Sequence, residues 1–281
     1  ICNPEAPCLR TLGVYSILDK FNFIKVVICT SNVLENHNKY KINLEHPFNF
    51  FIRNVVYNTT LHTWNKNKKF MCLYGRPTAN RIGFLSYLNY KYPEDSYLQC
   101  QINFDNEDER VHAELEKLFK YRKESIIEFS NILSKNSLKL SGDSRYYPNI
   151  PVYDDSSILL YKDIFVDIVS ETFAVGTSFF TTEKIVRPLL FKKPFIIFGT
   201  KNYLIYLRQM GFKTFFEFWD EDYDGFEGKE RFLRMLQVID TIASKSYSEL
   251  NDMYSKMYSI LEYNYQLAKT RSFNTHIIEV E

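Results

Sequence analysis

Glycine and alanine are scarce in this chain of 281 residues, and several signatures are missing altogether. There is no P-loop, no G-x-G-x-x-G, no G-x-S-x-G and no H-E-x-x-H. Their absence removes kinases, simple dehydrogenases, α/β-hydrolases and zincins from consideration. The five cysteines (Cys2, Cys8, Cys29, Cys72, Cys100) form no C-x-x-C pair and no Cys/His metal spacing. An odd, scattered set favours a reducing compartment, here taken as the cytoplasm, and a structural zinc is not expected. No run of 18 apolar residues occurs, so no membrane span is expected. Charge of one sign is also lacking: 35 basic and 34 acidic side chains leave a net +1. A whole-molecule field that gathers nucleic acid is therefore absent, and only a local basic patch could do so. The chain does not open on Met, which leaves a preceding segment or a removed targeting sequence open.

What is abundant is aromatic: 24 Phe and 21 Tyr, 17% of residues with Trp. Codon bias of an A/T-rich genome explains this, and an aromatic groove for sugars or bases is the functional alternative. Hydrophobic residues at 45% and charged residues at 25% suit a globular protein, in one large domain or two lobes.

Strand-like and helix-like segments alternate. Phe23–Cys29 and Phe70–Tyr74 are short, continuous apolar runs, the pattern of strands buried on both faces. The polar turn Gly75–Thr78, a helical stretch Asn80–Leu88 and a strand at Tyr97–Phe104 complete a βαβ unit. Glu107–Ser134 reads as an amphipathic helix or helix pair, and Asn136–Ser157 as a long connection between lobes. Strands then follow at Phe165–Val169, Pro194–Phe198 and Phe212–Phe216, with helices at Thr181–Phe191 and Tyr203–Met210 between them. Two amphipathic helices, Lys229–Ser244 and Ser248–Lys269, close the chain. The expected architecture is α/β, with an N-terminal lobe over 1–140 and a C-terminal lobe over 141–281. Such folds bind ligands beyond the carboxyl ends of their strands.

The stretch Ser170–Gly199 carries the most chemistry. A strand ends at Val169 and releases Ser170 and Glu171; a loop follows, and Thr181-Thr182-Glu183-Lys184 opens a helix. A capping Thr, free backbone N–H groups and the positive end of the helix dipole attract phosphate, and Lys184 adds a full charge. Glu183 could accept hydrogen bonds from ribose hydroxyls. An ordinary capped surface helix explains the same residues, although Pro188 inside it removes one backbone bond.

Glu171, Phe-x-Thr-Glu-Lys at Phe180–Lys184, the Arg187-Pro188 pair and Pro194-Phe-Ile-Ile-Phe-Gly199 resemble the donor-site signature of GT-B-type glycosyltransferases. The nearest groups are fucosyltransferase-like enzymes and related glycosyltransferases of bacteria and phages. Tyr203-Leu204, Leu207-Arg208, Gly211–Phe215 and Asp220-Glu221-x-Tyr223-Asp224 continue the likeness. Arg76 and Arg81 match an Arg-x(4)-Arg that follows the first strand in some of these proteins. The resemblance implies two Rossmann-like lobes, a nucleotide-diphosphate sugar as donor substrate, no cofactor and no essential metal. It also implies Glu183 on the donor ribose, Lys184 on phosphate or ribose, and Glu171 in the same pocket.

A metal-independent transferase must neutralise its leaving diphosphate with Arg, Lys and helix N-termini. Thr181, Thr182, Arg187, Arg76 and Arg81 are therefore donor-side candidates, with Arg145 a weaker one. Asp105 and Glu45 are positional candidates for a catalytic base, as is His46, although each also reads as a surface residue. The acidic clusters Asp105–Glu109 and Asp220–Asp222 have spacing that could hold a metal; a helix dipole explains the first. The expected acceptor is a glycan. A modified DNA base is the second choice, and would use a basic aromatic wall of Arg53, Tyr57, Trp64, Lys66, Lys68 and Lys69. A non-catalytic nucleotide- or nucleic-acid-binding module is the competing expectation.

Overall fold

Runs such as Phe70–Tyr74 and Phe195–Phe198 have no polar face, so as strands they require cover on both sides. The computed structural model meets that requirement. It describes residues 2–3, 8–21, 26–30, 32, 34–44, 64–74, 78–100, 160–171, 174, 176, 178–179, 181–273 and 278–279. The strands are β1 (Cys2–Asn3), β2 (Val27–Thr30), β3 (Lys41–Leu44), β4 (Lys68–Tyr74), β5 (Ser96–Cys100), β6 (Ile164–Ser170), β7 (Phe195–Phe198) and β8 (Ile278–Glu279). The helices are α1 (Val14–Leu18), α2 (Ala79–Lys91), α3 (Glu183–Leu190), α4 (Tyr203–Gln209), α5 (Gly228–Ala243) and α6 (Tyr247–Phe273).

These strands form two four-stranded sheets, so the protein is mixed α/β. The first has the order β1-β2-β3-β8, with β1, β2 and β3 parallel and β8 antiparallel. The end of the chain thus returns to the sheet that begins it. A small core of Leu9, Tyr15, Ile28 and Ile42 supports this sheet. The second sheet is wholly parallel and runs β5-β4-β6-β7. One face carries the main core, where Phe84 of α2 meets Phe232 of α5 with ring centroids 4.6 Å apart. Met71, Leu73, Tyr161 and Phe191 cluster separately. Among the described residues no helix is long and apolar enough to cross a membrane.

The second sheet joins strands from either side of the lobe boundary expected at 140/141. β4 and β5 precede it, β6 and β7 follow it, and Phe70 pairs directly with Val166. The change from one sheet to the other falls between β3 and β4. The strand expected at Phe212–Phe216 does not form. Instead the side-chain amide of Asn264 on α6 takes both backbone groups of Lys213: its Oδ1 accepts from Lys213 N and its Nδ2 donates to Lys213 O, each at 2.8 Å. A helix-borne amide thus replaces the strand neighbour. The helices expected over Glu107–Ser134 lie outside the described residues, as do Glu45, His46, Arg53, Tyr57, Arg76, Asp105–Glu109 and Arg145.

Candidate functional site

The order β5-β4-β6-β7 makes the chain step one way from β4 and the other way from β6. Sheets of this order commonly bind ligands at such a switch point, here the crevice position between the carboxyl ends of β4 and β6, where connections leave in opposite directions. The residues at that point are polar and almost entirely buried: Arg81, Ser170, Glu171, Thr181, Thr182 and Lys184 are each no more than 8% exposed. Buried polar groups of this density must be paired.

Glu171 is the centre of the cluster. It follows the last residue of β6, and its backbone N–H donates to Phe198 O at 2.9 Å, which carries the sheet one step past β7. Its carboxylate accepts from the Thr182 hydroxyl in a short hydrogen bond and from Thr182 N at 3.4 Å. Tyr203 OH donates to Oε1 at 3.1 Å. Thr182 is also the N-cap of α3: its Oγ1 accepts from Lys184 N at 3.2 Å and from Lys184 Nζ at 3.5 Å. One hydroxyl thus links the carboxylate, the helix cap and the ammonium group. Lys184 is held in this crevice at 8% exposure instead of extending into solvent. The backbone of Glu183 opens α3 as the spacing predicts; its side chain lies outside the described residues.

Arg81 spans the crevice from the other side. It lies in the first turn of α2, whose N-cap Thr78 accepts from Arg81 N at 3.4 Å. Its Nη2 donates to Ser170 O at 2.9 Å, and its guanidinium stands 5.6 Å from the Tyr74 ring centroid. The first Arg of the pair, Arg76, is outside the described residues. Arg187 is buried on α3, and its charge bears on Asp167 in the body of β6. Burial pushes the Asp167 carboxyl up to about 6, against the Arg187 charge and a 2.6 Å hydrogen bond from Tyr161 OH.

Comparison of the chain with protein-family models, with curated proteins and with solved structures finds no match.

Tyr203 and Gly199, which the sequence offered only within the family likeness, and Asn32, which it did not single out, shape the site. Tyr203 reaches Glu171 with its ring packed close against Gly199, the residue after β7. A Cβ on Gly199 would stand 2.4 Å from Tyr203 Cδ2 and 2.9 Å from Cγ. Asn32, beyond the end of β2, accepts through Oδ1 from Phe179 N at 3.0 Å. Glycine directly after an apolar strand was the one local signal for the first of these contacts; Asn32 left none.

Other candidates have structural partners. In the acidic cluster Asp220–Asp222, Asp220 accepts from Asp222 N at 2.8 Å, while Glu221 accepts from Phe215 N at 2.7 Å and pairs with Arg208 at 3.1 Å. Asp224 accepts from Leu204 N at 2.8 Å and from Ile205 N at 3.4 Å, capping α4, and pairs with Arg231 at 2.9 Å. Burial raises both carboxyls. Among the described residues no group of three or more His, Cys, Asp or Glu side chains could hold a metal ion. The described residues of the basic aromatic wall lie at the other end of the sheet, and two of them have structural partners. Lys69 pairs with Asp95 at 3.2 Å and donates to Ala243 O at 2.8 Å, while Trp64 Nε1 donates to Asp163 O at 2.9 Å. These residues flank the amino end of β4, about 20 Å along the strand from the crevice.

Proposed function

We propose that this protein is a glycosyltransferase of GT-B type, with two Rossmann-like lobes, that takes a sugar from a nucleotide-diphosphate donor at the mouth of α3. The observation that carries the reading is the Glu171–Thr182–Lys184 cluster at the switch point of a parallel sheet. Phosphate suits that mouth because helix amides and an ammonium group converge there. Glu171 holds the loop so that the cap and Lys184 are fixed before a donor arrives, which is the preorganisation that leaving-group stabilisation requires. In this reading Lys184 and the first amides of α3 take the diphosphate and Glu183 takes the ribose hydroxyls. Thr181 belongs to the same cluster and Arg81 reaches it from the β4 side, with Arg76 the further candidate for neutralising the diphosphate. The acceptor is a glycan, bound against the other lobe, and Glu45, which follows β3 in sequence, or Asp105, which follows β5, removes its hydroxyl proton. The internally paired Trp64 and Lys69 make a DNA-base acceptor the weaker choice.

One observation also supports a non-catalytic nucleotide-binding module: Glu171 is fully engaged in holding the loop. The two readings part on one experiment. UDP-, GDP- and dTDP-sugars are screened by thermal shift against the wild type and a Glu183→Ala/Lys184→Ala variant. A donor at a hundred times its dissociation constant adds about 2.7 kcal/mol of stability. Stabilisation by one nucleotide class, lost in the variant, with donor hydrolysis or transfer, supports the enzyme. Stabilisation without turnover leaves the binding module, and no response to any nucleotide sugar refutes the proposal.

A further inference from the structure

We infer that Asn32 is a positioning residue that latches the first sheet to the mouth of α3. It lies just beyond the carboxyl end of β2 and is completely buried. Its Oδ1 accepts from Leu34 N at 3.2 Å and from Phe179 N at 3.0 Å, a partner 147 residues away in sequence. Its Nδ2 faces Glu35 Oε2 at 3.5 Å. Glu35 is itself fixed, since Leu9 N and Tyr15 OH each donate to it at 2.8 Å. The amide is therefore oriented within the first sheet's own surroundings: the nitrogen turns to the carboxylate and the oxygen is presented to Phe179.

Phe179 transmits that constraint. It belongs to the segment between β6 and α3 and is fully buried. Its ring meets Tyr203 edge-on at 4.9 Å between centroids and lies 5.2 Å from Tyr206. Tyr203 OH donates to the same Glu171 oxygen that accepts from Thr182 N. Leu34 adds an apolar contact with the main core. One chain of contacts thus runs from β2 through Asn32, Phe179 and Tyr203 to Glu171 and the cap of α3. The inference rests on the sugar-transfer reading only in treating that mouth as a donor site; the coupling itself does not depend on it.

The test is amide hydrogen exchange on the full, ligand-free chain, so that its result is independent of any donor. Asn32→Ala removes the acceptor, and exchange at Phe179 should accelerate about 10-fold or more, the scale of one lost buried hydrogen bond. Thr182, whose N–H is held by Glu171, should accelerate with it. Faster exchange confined to Phe179 and Leu34, with Thr182 unchanged, overturns the latch and leaves a local bond. Should the variant not fold, native-state exchange of the wild type in low urea decides. A shared opening free energy and urea slope for Phe179 and Thr182 supports the latch, and separate openings overturn it. A failure of UDP-, GDP- and dTDP-sugars to bind sinks the sugar-transfer reading without altering the exchange result.

Discussion

Gly199→Ala is expected to destabilise the protein by about 3 kcal/mol, within a range of roughly 1–5. The added Cβ would meet Tyr203 Cδ2 at 2.4 Å and Cγ at 2.9 Å, both far inside carbon contact distance. A ring carbon next to the backbone cannot swing aside as the tip of a flexible side chain can. The whole ring must retreat by about 1 Å, and Tyr203 is fully buried, so overpacking of this kind costs about 1–3 kcal/mol. Retreat also pulls Tyr203 OH from Glu171, now 3.1 Å away, and leaves a buried carboxylate short of a donor, about 1–3 kcal/mol more. Alanine returns about 0.4–1 kcal/mol by restricting the unfolded chain. Gly225→Ala is the control, because nothing lies within 4 Å of a Cβ there and its φ is outside the left-handed region. Urea unfolding of both variants gives the comparison, with Gly225→Ala at or slightly above wild type. A Tyr203→Ala background should abolish most of the Gly199→Ala cost, since the clashing ring is gone. Equal midpoints for the two glycine variants, or a full cost that persists without the ring, would refute the packing argument.

Two further predictions concern buried charge. Arg231→Met leaves Asp224 and the Thr200 carbonyl without their 2.9 and 2.7 Å donors, and should cost about 3–5 kcal/mol by urea unfolding; adding Asp224→Asn should recover part of it. The Asp167 carboxyl is raised in the folded state from 3.8 to about 6, so the folded protein binds the extra proton between those values. Stability should therefore fall as pH rises through that window, and Asp167→Asn should flatten that part of a stability profile measured from pH 4 to 7.

Much of the architecture was legible because it depends on local pattern. Phe70–Tyr74 and Pro194–Phe198 are apolar throughout, Phe165–Val169 is apolar but for Asp167, and each is a strand buried on both faces. The apolar faces of the two closing helices recur at the helical period, and both helices form. Partnership was not legible. β4 is a strand by composition, but nothing in Lys68–Tyr74 specifies β6 as its neighbour, and the boundary placed at 140 passes through a single sheet. The strand expected at Phe212–Phe216 fails for a related reason: an extended apolar segment can satisfy its backbone with Asn264 from α6, 51 residues away. At the site, the Thr182 cap follows from residue type and position, and the structure has it. The bond from Tyr203 to Glu171 spans 32 residues and depends on Gly199 being flat enough for a ring, which no spacing rule contains.

The acidic segment after α4 clarifies what the site needs from its surroundings. α4 has only seven residues, too few to persist in isolation, and its N-cap Asn202 makes no side-chain cap bond. Its first free amides, Leu204 N and Ile205 N, are taken by Asp224, which Arg231 holds in place while also gripping Thr200 O beyond β7. Tyr203 is the first residue of this helix, so the direction of its hydroxyl toward Glu171 is set by the same carboxylate that caps the helix. Asp220–Asp222 has the spacing of a ligand set in sequence, and Asp224 directly after it adds to the density of carboxylates. In the fold, that density fastens a short helix whose leading side chain closes the crevice at β6. Loss of the Asp224 carboxylate would accordingly be felt first at the Tyr203–Glu171 contact and at the α3 cap, before the sheet beneath them.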